Sequence, residues 1–160
     1  MLVLVPKITD RVAYTFDLLL EDLLGLDFAL TTDAERFKAE EGPKMHYGDE
    51  RLCDAPFVKS VNLLFERNIS EKDTQSIDFE GVKGLFPVFG KNLLMPFDVF
   101  AASFYLVSRY EEYLPQVRDK YGRFQAESTW MFENGMLQKP LVNIWTKSLG
   151  TKLKAAYPDL

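Results

Sequence analysis

Between Pro96 and Pro115 the chain carries Phe97, Val99, Phe100, Phe104, Leu106, Val107 and Tyr110, which on a helix would cover nearly the whole circumference. A helix that is apolar all round has no face to give to water and must be enclosed by other elements. The spacing predicts one buried helix over 97–113, with Pro96 in its first turn and Pro115 after its end. Enclosing it takes a large core. With 160 residues, among them 13 Phe and 7 Tyr, the chain is long and aromatic enough to build one as a single domain over 1–160.

The first half supplies the wrapping. Leu2–Val5 is a continuous apolar run and reads as a buried strand. Thr9 or Asp10 then caps a helix whose apolar positions are Val12, Phe16, Leu19, Leu20 and Leu23, and Gly25 stops it. Leu26–Thr31 alternates as a second strand. Asp33 opens a short charged helix to about Glu41, and Lys44–Tyr47 is a third strand before the turn at Gly48-Asp49. Phe57–Phe65 reads as a further strand, and the polar stretch 67–76 as a surface loop and a weak internal division. Pro87 belongs at an edge or bend, because proline cannot donate to a central ladder. Asp119–Gly122 is a turn, and a last helix covers 140–156. This order predicts an α/β domain with a mixed sheet flanked by helices.

Charge and composition narrow the partners. A net charge of −5 without a basic stripe argues against nucleic acid, whose binders carry a basic footprint. The apolar runs are too short for a membrane span, and Pro6 and Asp10 cut the first one before it can act as an export signal, so a soluble, cytoplasmic protein is the expectation. Cys53 is the single cysteine and His46 the single histidine, which leaves no thiolate set and no histidine pair for a metal. No cofactor is implied. His46 is expected as a hydrogen-bonding or surface residue, and Cys53, beside Asp54, as inert. The loop Pro6-Lys7-Ile8-Thr9 lacks the glycines that let a backbone approach a pyrophosphate.

The densest polar stretch is Ser108-Arg109-Tyr110-Glu111-Glu112-Tyr113-Leu114-Pro115. On the predicted helix, Glu111 and Glu112 occupy the last turn, where the macrodipole disfavours negative charge. Arg109, Arg118 and Arg123 are the cations available to offset that cost. Two readings fit: an ion-pair cluster pinning the helix end, or a ligand or partner site built from Arg109, Tyr110, Glu111, Glu112, Tyr113 and Arg123. A glycosidase pair is disfavoured, since neighbouring residues on a helix point about 100° apart.

Several segments occur in a recognisable order: Pro96-Phe97-Asp98, Phe104-Tyr105-Leu106, Ser108 to Pro115, Gly122-Arg123-Phe124, Pro140-Leu141-Val142 and Trp145. With Gly42-Pro43-Lys44 and Leu63-Leu64-Phe65-Glu66, they resemble an uncharacterised domain found at the front of polysaccharide deacetylase-like proteins in some bacteria. The resemblance implies a non-catalytic accessory domain of a carbohydrate-modifying protein, with the catalytic domain following Leu160 as its partner and carbohydrate as a second one. It gives no residue a catalytic role. Thr15-Phe16-Asp17 matches part of a deacetylase motif, but it falls inside a predicted helix, and Leu18 stands where the motif needs a second Asp. Two further readings remain. One is a carbohydrate-binding module with Tyr113, Tyr121 or Trp130 stacking on sugars, and the other a small hydrolase built on Glu111, Glu112 and Arg109.

Overall fold

The computed structural model describes residues 1–115 and 119–160. Strand β1 (Leu2–Leu4) lies at the centre of a four-stranded parallel sheet of order β2-β1-β3-β4, with β2 at Ala29–Thr31, β3 at Lys44–Gly48 and β4 at Phe57–Lys59. Buried on both faces, β1 needs the unbroken apolar run that the sequence gives it. Its side chains alternate between two cores. Val3 and Val5 point into the main one, while Leu2 and Leu4 meet Phe37 and Ala55 in a smaller cluster on the other face. Phe37 belongs to helix α2 (Ala34–Ala39), capped by the Asp33 carboxylate.

Helix α1 (Asp10–Phe16) begins under the Thr9 hydroxyl and passes without a break into a π-helical segment, Asp17–Leu23. This corrects the expectation of one α-helix to Leu23. The wider turn keeps Leu19 and Leu20 in the core but swings Leu23 outward, where it is 39% exposed. Gly25, in the left-handed region, then stops the segment as expected. The second strand is also shorter than Leu26–Thr31 suggested.

The main core lies between α1 and helix α3 (Val99–Val107). Phe16 and Phe100 stack at 3.9 Å, and the Tyr47 ring meets both edge-on. Asp98 caps α3 by accepting from the Ala101 N–H, and Phe97 bridges to Pro87, so the helix starts two residues later than its apolar run does. Pro96 therefore lies ahead of the helix, and Pro87 stands in an isolated bridge just past the bend at Phe86, outside any sheet ladder. Residues 97–113 do not form one helix. Arg109 adopts φ +52°, which breaks the α-geometry, and Tyr110–Tyr113 form a separate 3₁₀ turn.

Phe57–Phe65 is likewise not one strand. After β4 the chain turns into a 3₁₀ segment at Asn62–Leu64. A strand would send the adjacent Leu63 and Leu64 to opposite faces, whereas the turn buries both. Strands β5 (Ser76–Phe79) and β6 (Val82–Leu85) form a separate antiparallel hairpin around Glu80-Gly81, both with positive φ as a tight two-residue turn requires. Strand pairing is thus mixed, with the parallel and antiparallel parts in different sheets. Helix α5 (Leu141–Ala156) closes the core through the fully buried Trp145, whose indole N–H donates to the Lys83 carbonyl at 3.0 Å. The result is a single compact α/β domain. Among the described residues, no helix is long and apolar enough to cross a membrane.

Candidate functional site

The break at Arg109 shapes the most chemically varied surface. By turning the chain at the end of α3, it sends Tyr110 inward and Glu111 and Glu112 to one side. Tyr110 is 2% exposed and stacks on Tyr105 at 5.2 Å. Its hydroxyl accepts from the Ser70 N–H at 3.0 Å, and the Arg11 guanidinium lies over its ring. Tyr110 therefore fastens the polar loop to the core and does not face the pocket.

Glu111 is half-buried, and its carboxylate accepts the Trp130 backbone N–H at 2.8 Å, at the start of helix α4 (Trp130–Glu133). Burial raises its pKa, opposed by the hydrogen bonds from Trp130 and from the Tyr105 hydroxyl, while nearby Glu133 adds to the rise. Burial likewise raises the Tyr105 phenol, with Glu111 contributing. Glu112 pairs with Arg109. The carboxylates thus avoid the macrodipole penalty expected of a helix end, because they stand outside α3 on their own turn.

Around these groups lies a pocket of about 230 Å³. Arg109, Glu111 and Glu112 form its polar side together with Tyr105. Leu106, Phe124, Met131 and Leu137 form the apolar side. Of the six residues singled out in the sequence, three meet here. Tyr113 projects into solvent at 67% exposure. Arg123 goes elsewhere: its Nε donates to Asp119 at 2.9 Å and its guanidinium lies over the exposed Tyr121 ring. It borders a neighbouring hollow of about 450 Å³ that shares Phe124 and Ala126 with the first. Arg118, the third expected cation, lies outside the described residues. Tyr105 was legible in principle, standing four residues before Arg109, one turn away on the helix expected over 97–113. Phe124, Met131 and Leu137 arrive from distant segments and carry no local signal.

Asp98 is a second polar centre that spacing alone did not reveal. Fully buried, it accepts from the Tyr47 hydroxyl at 2.8 Å, the Val61 N–H at 2.7 Å and the Ala101 N–H at 2.9 Å. These bonds join β3, the 3₁₀ segment after β4, and α3. Burial pushes its carboxyl up to about 6 despite the donors. Asp98 is a junction inside the core.

His46, Trp130 and Thr9 are engaged elsewhere in the fold. His46 is 8% exposed and its Nδ1 accepts the Leu52 N–H at 3.3 Å, so it is a hydrogen-bonding residue but an enclosed one. Trp130 is 2% exposed with its indole N–H bound to the Thr74 carbonyl, which removes it from the set of free stacking rings. Thr9, at the loop considered for a phosphate, donates to the Leu64 carbonyl and caps α1. Among the described residues, no three His, Cys, Asp or Glu side chains gather as a metal would require.

Fold and site together define an α/β domain with a small amphipathic pocket at the broken end of its central helix. The chain belongs to a family of unknown function (DUF7033), whose model matches residues 1–158. No curated protein and no solved structure matches it.

Proposed function

We propose that this chain is a non-catalytic accessory domain of a larger carbohydrate-modifying, deacetylase-like protein, and that it packs on the catalytic domain, or presents substrate to it, through the end of α3. The observation that carries this reading is the commitment of both carboxylates. Glu111 is held by Trp130 and Tyr105, and Glu112 by Arg109, so neither stands free as an acid or base. An apolar floor with a charged rim is instead the anatomy of a contact surface, and Leu137 in its wall is 48% exposed. The carbohydrate setting comes from the resemblance of the 96–145 segments to domains preceding deacetylases. A hydrolase built on Glu111, Glu112 and Arg109 is the reading this geometry supports least.

The test is to compare the parent's catalytic domain alone, joined to this domain, and joined to its Arg109→Ala/Leu137→Ser variant. Joining should raise the melting temperature or the activity of the catalytic domain, and the variant should lose that gain. Identical behaviour of all three proteins would end the proposal.

A carbohydrate-binding module is a second reading, favoured by the exposed rings of Tyr113 and Tyr121. Calorimetry with neutral glycans should then show heat that disappears in Tyr113→Ala/Tyr121→Ala. An absence of heat with the intact chain removes it.

A further inference from the structure

From Asn134 to Pro158 the sequence contains Lys139, Lys147, Lys152 and Lys154 and no Asp or Glu. The other 15 basic side chains share the rest of the chain with all 24 acidic ones, so an acidic protein keeps one basic segment. Three of these lysines are on α5. Among the described residues, none of the three has a carboxylate within ion-pair distance, whereas Lys38, Lys59, Lys72 and Lys83 each do.

The unpaired charge borders a groove of about 420 Å³ between α5 and the chain leaving the π-helical segment. Asn143, Lys147, Thr151 and Lys154 form one wall, and Leu23 and Leu24 the other. Two backbone features create it. The π-helical turn swings Leu23 out of the core, and Gly150 lets Leu24 lie directly on α5, since a Cβ there would stand 2.6 Å from the Leu24 Cδ2. Lys147 and Lys154 are seven residues apart, which places them on one side of the helix and about 10 Å apart along its axis.

We infer that this groove binds an acidic oligosaccharide whose carboxylates recur about once per disaccharide. The charge spacing suits that repeat. Asn143 and Thr151, on the same wall as the lysines, offer hydrogen bonds to hydroxyls, and the leucines accept the apolar face of a sugar ring. The volume falls within the roughly 300–1,000 Å³ of small-ligand sites. A protein partner would instead need a broad face of about 800 Å². The choice of a glycan rests on the accessory-domain reading, while the groove and its charge do not.

Titration of the whole chain with hyaluronan oligosaccharides, which carry one carboxylate per disaccharide, tests the inference beside uncharged chitooligosaccharides and poly-L-glutamate. The hyaluronan oligosaccharides should bind, more weakly as salt is raised, and Lys147→Gln/Lys154→Gln should lose roughly tenfold in affinity at low salt. Arg109→Ala should bind as the parent does. Equal binding by the double lysine variant, no binding of hyaluronan at low salt, or preference for the uncharged sugar overturns the inference. So does tighter binding of poly-L-glutamate, which would point to a protein partner. Loss with Arg109→Ala but not with the lysine variant would also overturn it, while leaving the site at the end of α3 in place.

Discussion

Asp98 shows how far one side chain can reach. Its acceptor bonds span 37 and 51 residues of sequence to Val61 and Tyr47, and it also begins α3. Replacing it by Ala removes a helix cap worth about 1 kcal/mol and strands the Tyr47 hydroxyl and Val61 N–H, at about 1–3 kcal/mol each. A loss of roughly 3–7 kcal/mol is expected in urea unfolding. Its protonation carries a further expectation. The ordinary value near 3.8 rises to about 6 in the folded protein, because burial outweighs the donors. The folded state therefore holds this proton more tightly than the unfolded chain does. Its contribution is complete below about 3.8 and is lost as pH rises through about 6. Two units correspond to about 3 kcal/mol. The stability gap between the parent and Asp98→Asn should shift by up to that amount between about pH 4 and about pH 7, and parallel profiles would contradict it. Arg109 carries the opposite kind of cost, since its left-handed backbone disfavours any side chain by about 1–2 kcal/mol. Arg109→Gly should raise the melting temperature while weakening whatever binds the pocket; a lowered melting temperature would mean that the Glu112 pair outweighs the strain. Neither the Asp98 junction nor the Arg109 turn was legible in the sequence, because both depend on where distant backbone arrives.

Among the elements, those set by local chemistry were legible and those set by tertiary capture were not. The apolar run of β1, the Asp33 cap of α2, the stop at Gly25 and the length of α5 all follow from neighbouring residues. The long helix expected over 97–113 failed at both ends, since Asp98 is drawn to Val61 and Tyr47 at one and Arg109 turns left-handed at the other. The strand expected over 57–65 ends where the Val61 N–H goes to Asp98. Leu24 and Gly150 offer a direct test of packing between elements. Gly→Ala inside a helix ordinarily gains about 1 kcal/mol. Here the new methyl meets the far end of the partly buried Leu24 side chain, which must move aside toward the groove. Gly150→Ala should therefore fall short of that gain, and Leu24→Ala should cost less in the Gly150→Ala chain than in the parent. Strict additivity of the two would show that they do not touch.

At the scale of the whole molecule, the polar stretch 67–76 is a loop as far as Gln75, with Ser76 already in β5, and it is tied down along its length. Arg11 donates to the carbonyls of Arg67 and Asn68, Ser70 is bonded to Tyr110, and the Thr74 carbonyl accepts from Trp130. One main core draws residues from both sides of it, from Val3 to Leu153. Far-ultraviolet dichroism and tryptophan fluorescence should then report the same urea midpoint, and two separate transitions would mark the loop as a true division. Half of the candidate pocket was visible in sequence, because Arg109, Glu111 and Glu112 are neighbours there. Its apolar half was not, since only folding brings 124, 131 and 137 to the end of α3.

The segregation of lysines onto α5 has a consequence beyond any contact they make. Outside residues 134–158 the chain carries 24 acidic and 15 basic side chains, and within them only basic ones, so the molecule has a lasting electric moment. A negatively charged polymer would feel it across roughly the Debye length, about 8 Å at physiological salt. Such a polymer would draw α5 forward and be repelled by the net negative remainder, orienting the molecule before the two meet.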